Sequence, residues 1–182
     1  IWCEQEEDRV MKKPAVILSA LLGCILTANL AFSLDQLCIS LKNREGNNIG
    51  HAHLSQATEG VVIKVFAKDI EPGWHAFHLH SIGDCSSADF KSSGGHFNPT
   101  AKHHGVHNDG GRHLGDLPNV YVPESGELIT EVFANGVYLN DGKTGLLDED
   151  GSAIVMHAGP DDYKSDPAGA AGARIVCGAI EP

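Results

Sequence analysis

The sequence predicts an all-β chain, an eight-stranded Greek-key β-barrel or sandwich with long loops. Three observations carry this. Apolar residues recur in short alternating runs, the period of a half-buried strand. Turn dipeptides separate these runs at short intervals, and glycine is abundant, with 21 in 182 residues. No run of convincing helical length occurs outside the first thirty or so positions. About eight such strands close most simply as a sandwich or flattened barrel.

The elements follow in order. Residues 1–10 are acidic, precede Met11 and are read as a non-native extension. Residues 11–33 read as an export signal: Met11-Lys12-Lys13 is a basic start, 15–30 is mostly apolar, and small residues for cleavage lie in ANLAFS. Leu21-Leu22-Gly23-Cys24 also resembles a lipoprotein processing site. A further apolar run follows it, so the plain export signal is preferred to a lipid anchor at Cys24. The run is short for a membrane span. Residues 34–182 form the single remaining domain, expected to be exported to the periplasm.

Within that domain, strands are expected at 37–42, 49–56, 61–68, 74–80, 119–122, 128–133, 153–158 and 173–180. NREGNN and Glu71-Pro72-Gly73 turn between the early ones. Ser125-Gly126, Asn135-Gly136, Asp141-Gly142 and Asp150-Gly151 turn between the later ones. Residues 81–118 carry few strand signals and many Gly, His, Asp and Ser. A loop of that length in a small domain calls for something to organise it.

Apolar residues make up 42% and charged residues 20%, the composition of a soluble globular domain. The net charge of −11 argues against nucleic acid or an anionic membrane surface as partner. Three cysteines lie beyond the leader, Cys38, Cys85 and Cys177. Export implies an oxidising compartment in which a disulfide persists. Cys85 and Cys177 flank histidine-bearing segments and are paired on that ground. Cys38, in LCISLK, is read as a buried structural thiol.

The eleven histidines hold the chemistry. His78 and His80, in HAFHLH, are two residues apart on an expected strand, so both project from one face while Phe77 and Leu79 point into the core. His96 follows in GGHFNP, His104, His113 and Asp116 in a glycine-rich loop, and His157 in IVMHAG. Three imidazoles and a carboxylate suit zinc, which His96, His104, His113 and Asp116 would supply. Imidazole-rich sites suit copper, for which His78, His80, His96 and His157 remain. His96 belongs to both sets, and only a deprotonated imidazole offers both nitrogens to metals. His51 and His53 repeat the two-residue spacing in GHAHLS and are read as a solvent-facing pair.

With HAFHLH, GGHFNP, the HLGDLPN segment at His113, VMHAGPDD and GARIVCG, the chain resembles the copper,zinc superoxide dismutases of the secreted bacterial type, over roughly 37–180. The resemblance implies a barrel with metal-binding and electrostatic loops, one copper and one zinc per chain. It implies disproportionation of superoxide to dioxygen and hydrogen peroxide by a redox-cycling copper bridged through a histidine to a structural zinc. By position, copper falls to His78, His80, His96 and His157, and zinc to His96, His104, His113 and Asp116. Asp161 becomes the carboxylate linking the two sides, Arg174 the anion-guiding arginine beside catalytic His96, and Cys85–Cys177 the disulfide. Relatives include monomers and homodimers.

The chain departs from the family pattern in places. Ser81 stands where an acidic residue is usual, and Ala170 where Gly or Asn is usual. His103 and His107 are extra and are read as surface residues, His75 as structural. Lys164 is a candidate outer guide for the anion as much as a solvated lysine. A catalytically silent relative or a histidine-based metal buffer would be the competing readings. Full occupancy of the seven ligand positions, with Arg174, favours the enzyme.

Overall fold

The computed structural model describes residues 35–140 and 142–182. The leader, residues 1–10 and Cys24 lie outside the described residues, as does Asp141 of one expected turn. Nine strands are present among the described residues: β1 (Gln36–Asn43), β2 (Asn48–Ala57), β3 (Gly60–Ala67), β4 (Gly73–His75), β5 (Phe77–His80), β6 (Val120–Val122), β7 (Leu128–Asn135), β8 (Ser152–His157) and β9 (Arg174–Ile180). These strands pair antiparallel, in a seven-stranded sheet ordered β5-β8-β9-β1-β2-β3-β7 and a two-stranded sheet of β4 and β6. The all-β expectation holds. No helix among the described residues is long and apolar enough to cross a membrane.

The alternation written in the sequence is the alternation of burial. In β3, Val61, Ile63, Val65 and Ala67 are buried, while Val62, Lys64 and Phe66 are partly exposed on the other face. Residues from β1, β2, β3, β5, β7, β8 and β9 meet in one core, among them Leu41, Leu54, Ile63, Leu79, Leu128, Ile154 and Ile180. One sheet whose inner faces share a single core must curl around it, as in a flattened barrel, here with β5 and β7 as its edges.

The expected strand 74–80 is two strands, which raises the count to nine. Ala76 breaks it. Its N–H donates to Gly159 O (2.8 Å) and its carbonyl accepts from His157 N–H (3.0 Å), so the chain leaves β6 and joins β8 at that residue. No propensity marks Ala76; the break is made by partners distant in the chain.

The site lies outside the barrel wall. On β5, Phe77 and Leu79 enter the main core, so His78 and His80 face outward over Val155 and Ala153 of β8. On β8, Ile154 and Met156 go inward, and Ala153 and Val155 join Phe90 and Cys177 in a second apolar cluster. All of β8 is therefore buried, its outer face covered by the loop that follows β5. The Cys85–Cys177 disulfide fastens that loop to β9. It closes 92 residues of chain, a constraint worth about 4–5 kcal/mol in loop-entropy terms. Cys38 corrects its sequence reading: it is half-buried, not buried, and is not a free thiol.

Candidate metal centre

Strand pairing places the first donors. His78 and His80 stand on β5 against β8, and His157 ends β8 where the register to β9 shifts and it pairs with Arg174. The long loop then crosses β5. Leu79 N–H donates to Gly115 O (2.9 Å), Phe97 N–H to Leu79 O (2.8 Å) and Gly115 N–H to Phe97 O (2.9 Å). These bonds bring His96 opposite His80, and Asp116 opposite His78. Residues 81–118 are thus pinned along β5 rather than loose.

Two donor groups result. His78, His80, His96 and His157 form one; His96, His104, His113 and Asp116 form the other; within each, the ligand atoms lie within 4.8 Å of one another. His96 is common to both. Its Nδ1 lies 2.9 Å from Asp116 Oδ1 and its Nε2 points the other way, buried and unpartnered.

Hydrogen bonding decides which nitrogen of each ring is offered. Asp161 accepts from Nε2–H of His78 (2.8 Å) and of His104 (3.0 Å), one on each oxygen. Carbonyls accept from the other pair, Gly94 O from His80 Nδ1–H (3.0 Å) and Gly172 O from His157 Nδ1–H (3.1 Å). That leaves His78 Nδ1, His80 Nε2, His96 Nε2 and His157 Nε2 buried with no partner. Four converging lone pairs in a dry site are costly unless a cation accepts them. The second group makes the same demand. His104 spends its proton on Asp161, so its Nδ1 lone pair faces Asp116 Oδ1 at 3.0 Å, while His113 Nδ1 lies 3.2 Å from that oxygen and 3.4 Å from His96 Nδ1. Three imidazoles gathered on one carboxylate oxygen, with the His104 lone pair turned to it, fit a divalent ion with nitrogen and oxygen ligands.

Burial sets the charge states. It lowers the pKa of His80 to about 2, helped by His96 and Arg174. It lowers His96 to about 4 against the pull of Asp116, and His157 to about 4 with the help of His78. These rings are neutral near pH 7, the form that binds metal. Burial pushes the two carboxylates upward, but hydrogen bonds prevail. His113, His96 and Gly105 N–H hold Asp116 well below the carboxylate range, and His78, His104 and Tyr163 N–H bring Asp161 to about 2. Both are ionised in the folded protein.

The residues around this centre include several the sequence reading passed over. Asn119 grips the main chain of Asp161 twice, accepting from its N–H (2.8 Å) and donating to its carbonyl (2.9 Å). Tyr163 N–H donates to Asp161 Oδ1 (2.6 Å), and Tyr163 Oη accepts from Asn119 N–H (2.8 Å). Asp166 accepts from the His104 main chain (2.8 Å) and the His103 ring (2.7 Å). Gly169, at φ +63°, passes so close that a Cβ there would land on Asp161 Oδ1. Asn119 sits inside the quoted HLGDLPN segment; nothing comparable in the sequence marks Asp166 or Tyr163.

The other singled-out residues fall outside the two groups. His75 is buried between His157 O (2.7 Å) and Glu71 O (2.8 Å). His51 and His53 are partly exposed on β2, His51 stacked on Phe66. His103 and His107 are exposed, and so is Lys164. Ala170 has φ 52°, the left-handed region, which gives its departure a physical meaning: the backbone conformation there favours Gly or Asn. Ser81 Oγ lies against Gly94. Arg174 leans along the loop, donating from Nη1 to Phe90 O (2.7 Å) and from Nη2 to Gly94 O (2.7 Å).

A family model described as "Copper/zinc superoxide dismutase (SODC)" matches residues 48–180. The chain is 46% identical over 173 residues to "Superoxide dismutase [Cu-Zn] 2" of Aquifex aeolicus, covering 93% of this chain and 99% of that protein. Among solved structures, a double mutant of a SOD-like protein from Bacillus subtilis superposes with TM-score 0.78 at 43% identity, over 80% of this chain and 97% of that one. The Cu/Zn superoxide dismutase from Brucella abortus superposes with TM-score 0.66 at 27% identity, over 80% and 99%. Sequence, fold and donor chemistry agree: this chain belongs to the copper/zinc superoxide dismutases, enzymes that disproportionate superoxide with copper and zinc.

Proposed function

We propose the following division of labour among the residues. His78, His80, His96 and His157 would hold copper, and His96, His104, His113 and Asp116 would hold zinc. His96 would serve both groups, Asp161 ties the two sides together, and Arg174 receives the anion. The observation that carries this reading is the set of four buried, unpartnered ring nitrogens on one side of His96, with its other nitrogen turned to Asp116.

Bound copper supplies a one-electron couple, and zinc a fixed positive charge that holds its imidazole ligands. The chain does the rest. Disproportionation turns two superoxide ions and two protons into dioxygen and hydrogen peroxide, so a proton source must stand at the site. His96 Nε2, its lone pair turned to the copper side while the ring's other nitrogen is committed to the zinc side, would take up one proton from solvent and pass it on, and water would supply the second. The carbonyls of Gly94 and Gly172 and the Asp161 carboxylate fix the ring orientations of His80, His157 and His78. Arg174 offers a planar, permanently charged fork to a small anion, which offsets locally a chain of charge −11. Lys164, exposed on the same loop as Asp161, serves as an outer guide.

Residues 11–33 direct export, the mature domain 34–182 works in the periplasm against extracytoplasmic superoxide, and it does so as a monomer or homodimer. The test is metal analysis with anomalous scattering on purified protein, beside the His96→Ala variant. One copper and one zinc per chain, and dismutation lowered on the order of a hundredfold in His96→Ala, are expected. Normal turnover and metal separation in that variant would remove the bridge.

A further inference from the structure

We infer that Ser93 is a positioning residue for the anion-binding arginine: its buried hydroxyl is the third wall of a cradle that aims the Arg174 guanidinium. The inference rests on the role proposed for Arg174.

Ser93 is fully buried, a place where a hydroxyl is tolerated only with its hydrogen bonds made. Its Oγ–H donates to Phe90 O (2.8 Å). With the proton so committed, the oxygen's lone pairs are left for a donor, and Arg174 Nη1 supplies one at 3.2 Å. The same Nη1 donates to Phe90 O, and Nη2 donates to Gly94 O. A guanidinium has five N–H donors. Phe90 O and Ser93 Oγ lie 2.8 Å apart and share the donor capacity of Nη1, and one Nη2–H goes to Gly94 O. The donors left are Nε–H and the second Nη2–H, neighbours on one edge and able to meet both oxygens of a diatomic anion.

The segment is stiff in its own right. Phe90 at φ 57° and Gly94 at φ 74° bracket a 3-10 turn, Lys91–Ser93, and Gly94 O also accepts from His80 Nδ1–H. The wall that fixes the guanidinium is therefore continuous with the wall that fixes a copper donor. Without the Ser93 oxygen, Nη1 keeps only Phe90 O and the guanidinium can roll about the two carbonyls. A local role is the competing account, because a serine hydroxyl bonding the carbonyl three residues back is a common turn device.

Azide, a small linear anion, is the probe, titrated into the copper- and zinc-loaded protein and followed by its optical band, alongside the second-order rate constant for superoxide. Ser93→Ala is expected to weaken azide binding and slow superoxide consumption by about fivefold each, with metal content unchanged, the loss of one hydrogen bond to a charged group. Ser93→Thr, which keeps the hydroxyl, should recover most of both. Arg174→Ala should weaken azide more than Ser93→Ala does. If Arg174→Ala binds azide normally, the role of Arg174 itself falls. If Arg174→Ala weakens azide but Ser93→Ala only lowers the melting temperature, Arg174 keeps its role and Ser93 is a turn cap alone.

Discussion

The proposed copper donors His78, His80 and His157 stand on two hydrogen-bonded strands, whereas the proposed zinc donors His96, His104, His113 and Asp116 all belong to one loop. On the strand side, pleat geometry alone puts the rings on one face, and each ring is steadied by a fixed acceptor, a carbonyl or Asp161. On the loop side there is no periodicity to rely on. Order comes from Asp116, whose one oxygen meets three imidazoles while the other accepts from Gly105 and His113 N–H. The strand side is thus held by the barrel and the loop side by its own carboxylate, with His96 and Asp161 the two links between them.

Breaking the carboxylate should separate the halves most. Asp116→Ala is expected to cut zinc affinity by more than about a hundredfold, since it removes a donor and the acceptor that gathers the loop, while copper content stays near one per chain. Metal analysis after chelation in the presence of each ion reads this out. Equal loss of both metals would show that the strand side depends on the loop.

Acid should separate them in the metal-free protein. His80, His96 and His157 have folded pKa values of about 2, 4 and 4, below the ordinary 6.5. The unfolded chain therefore binds protons first, and stability falls as pH drops from 6.5 towards 4. The depressed carboxylates Asp116 and Asp161 contribute stability above their unfolded pKa of 3.8, lost only at lower pH. A thermal midpoint that declines in two stages, first above and then below about pH 4, is expected. A flat midpoint between pH 6.5 and 4 would contradict the burial of His80, His96 and His157 as neutral rings.

The smallest effect belongs to the loop that carries Asp161. Ala170→Gly relieves a left-handed alanine and should raise stability by about 0.5–1 kcal/mol without changing metal content. Chemical denaturation measures it, and a loss of stability would show that the alanine methyl is worth more than its strain.

The two halves also differed in how far they could be read in advance. His78 and His80 declared themselves through a period of two within an apolar run, because a strand turns sequence spacing directly into direction. His104, His113 and Asp116 had no such rule, and their grouping rested on a donor count, three imidazoles and a carboxylate with His96, and on the resemblance of whole segments to a known family. Asp166 and Tyr163 escaped notice because their contacts are made by or to the main chain: His104 N–H to Asp166, Tyr163 N–H to Asp161. Any residue offers an N–H, so nothing in composition points to it. The split at Ala76 was missed for the same reason.

What the sequence by itself determined is the all-β class, the inward and outward faces of each strand, and the kinds of donor available. Those follow from local periodicity and side-chain chemistry, properties of neighbouring residues. What only the tertiary structure decided is which nitrogen of each ring is offered. Distant carbonyls at Gly94 and Gly172 and the Asp161 carboxylate choose it, and a ring's tautomer is set by whatever the folded chain places beside it.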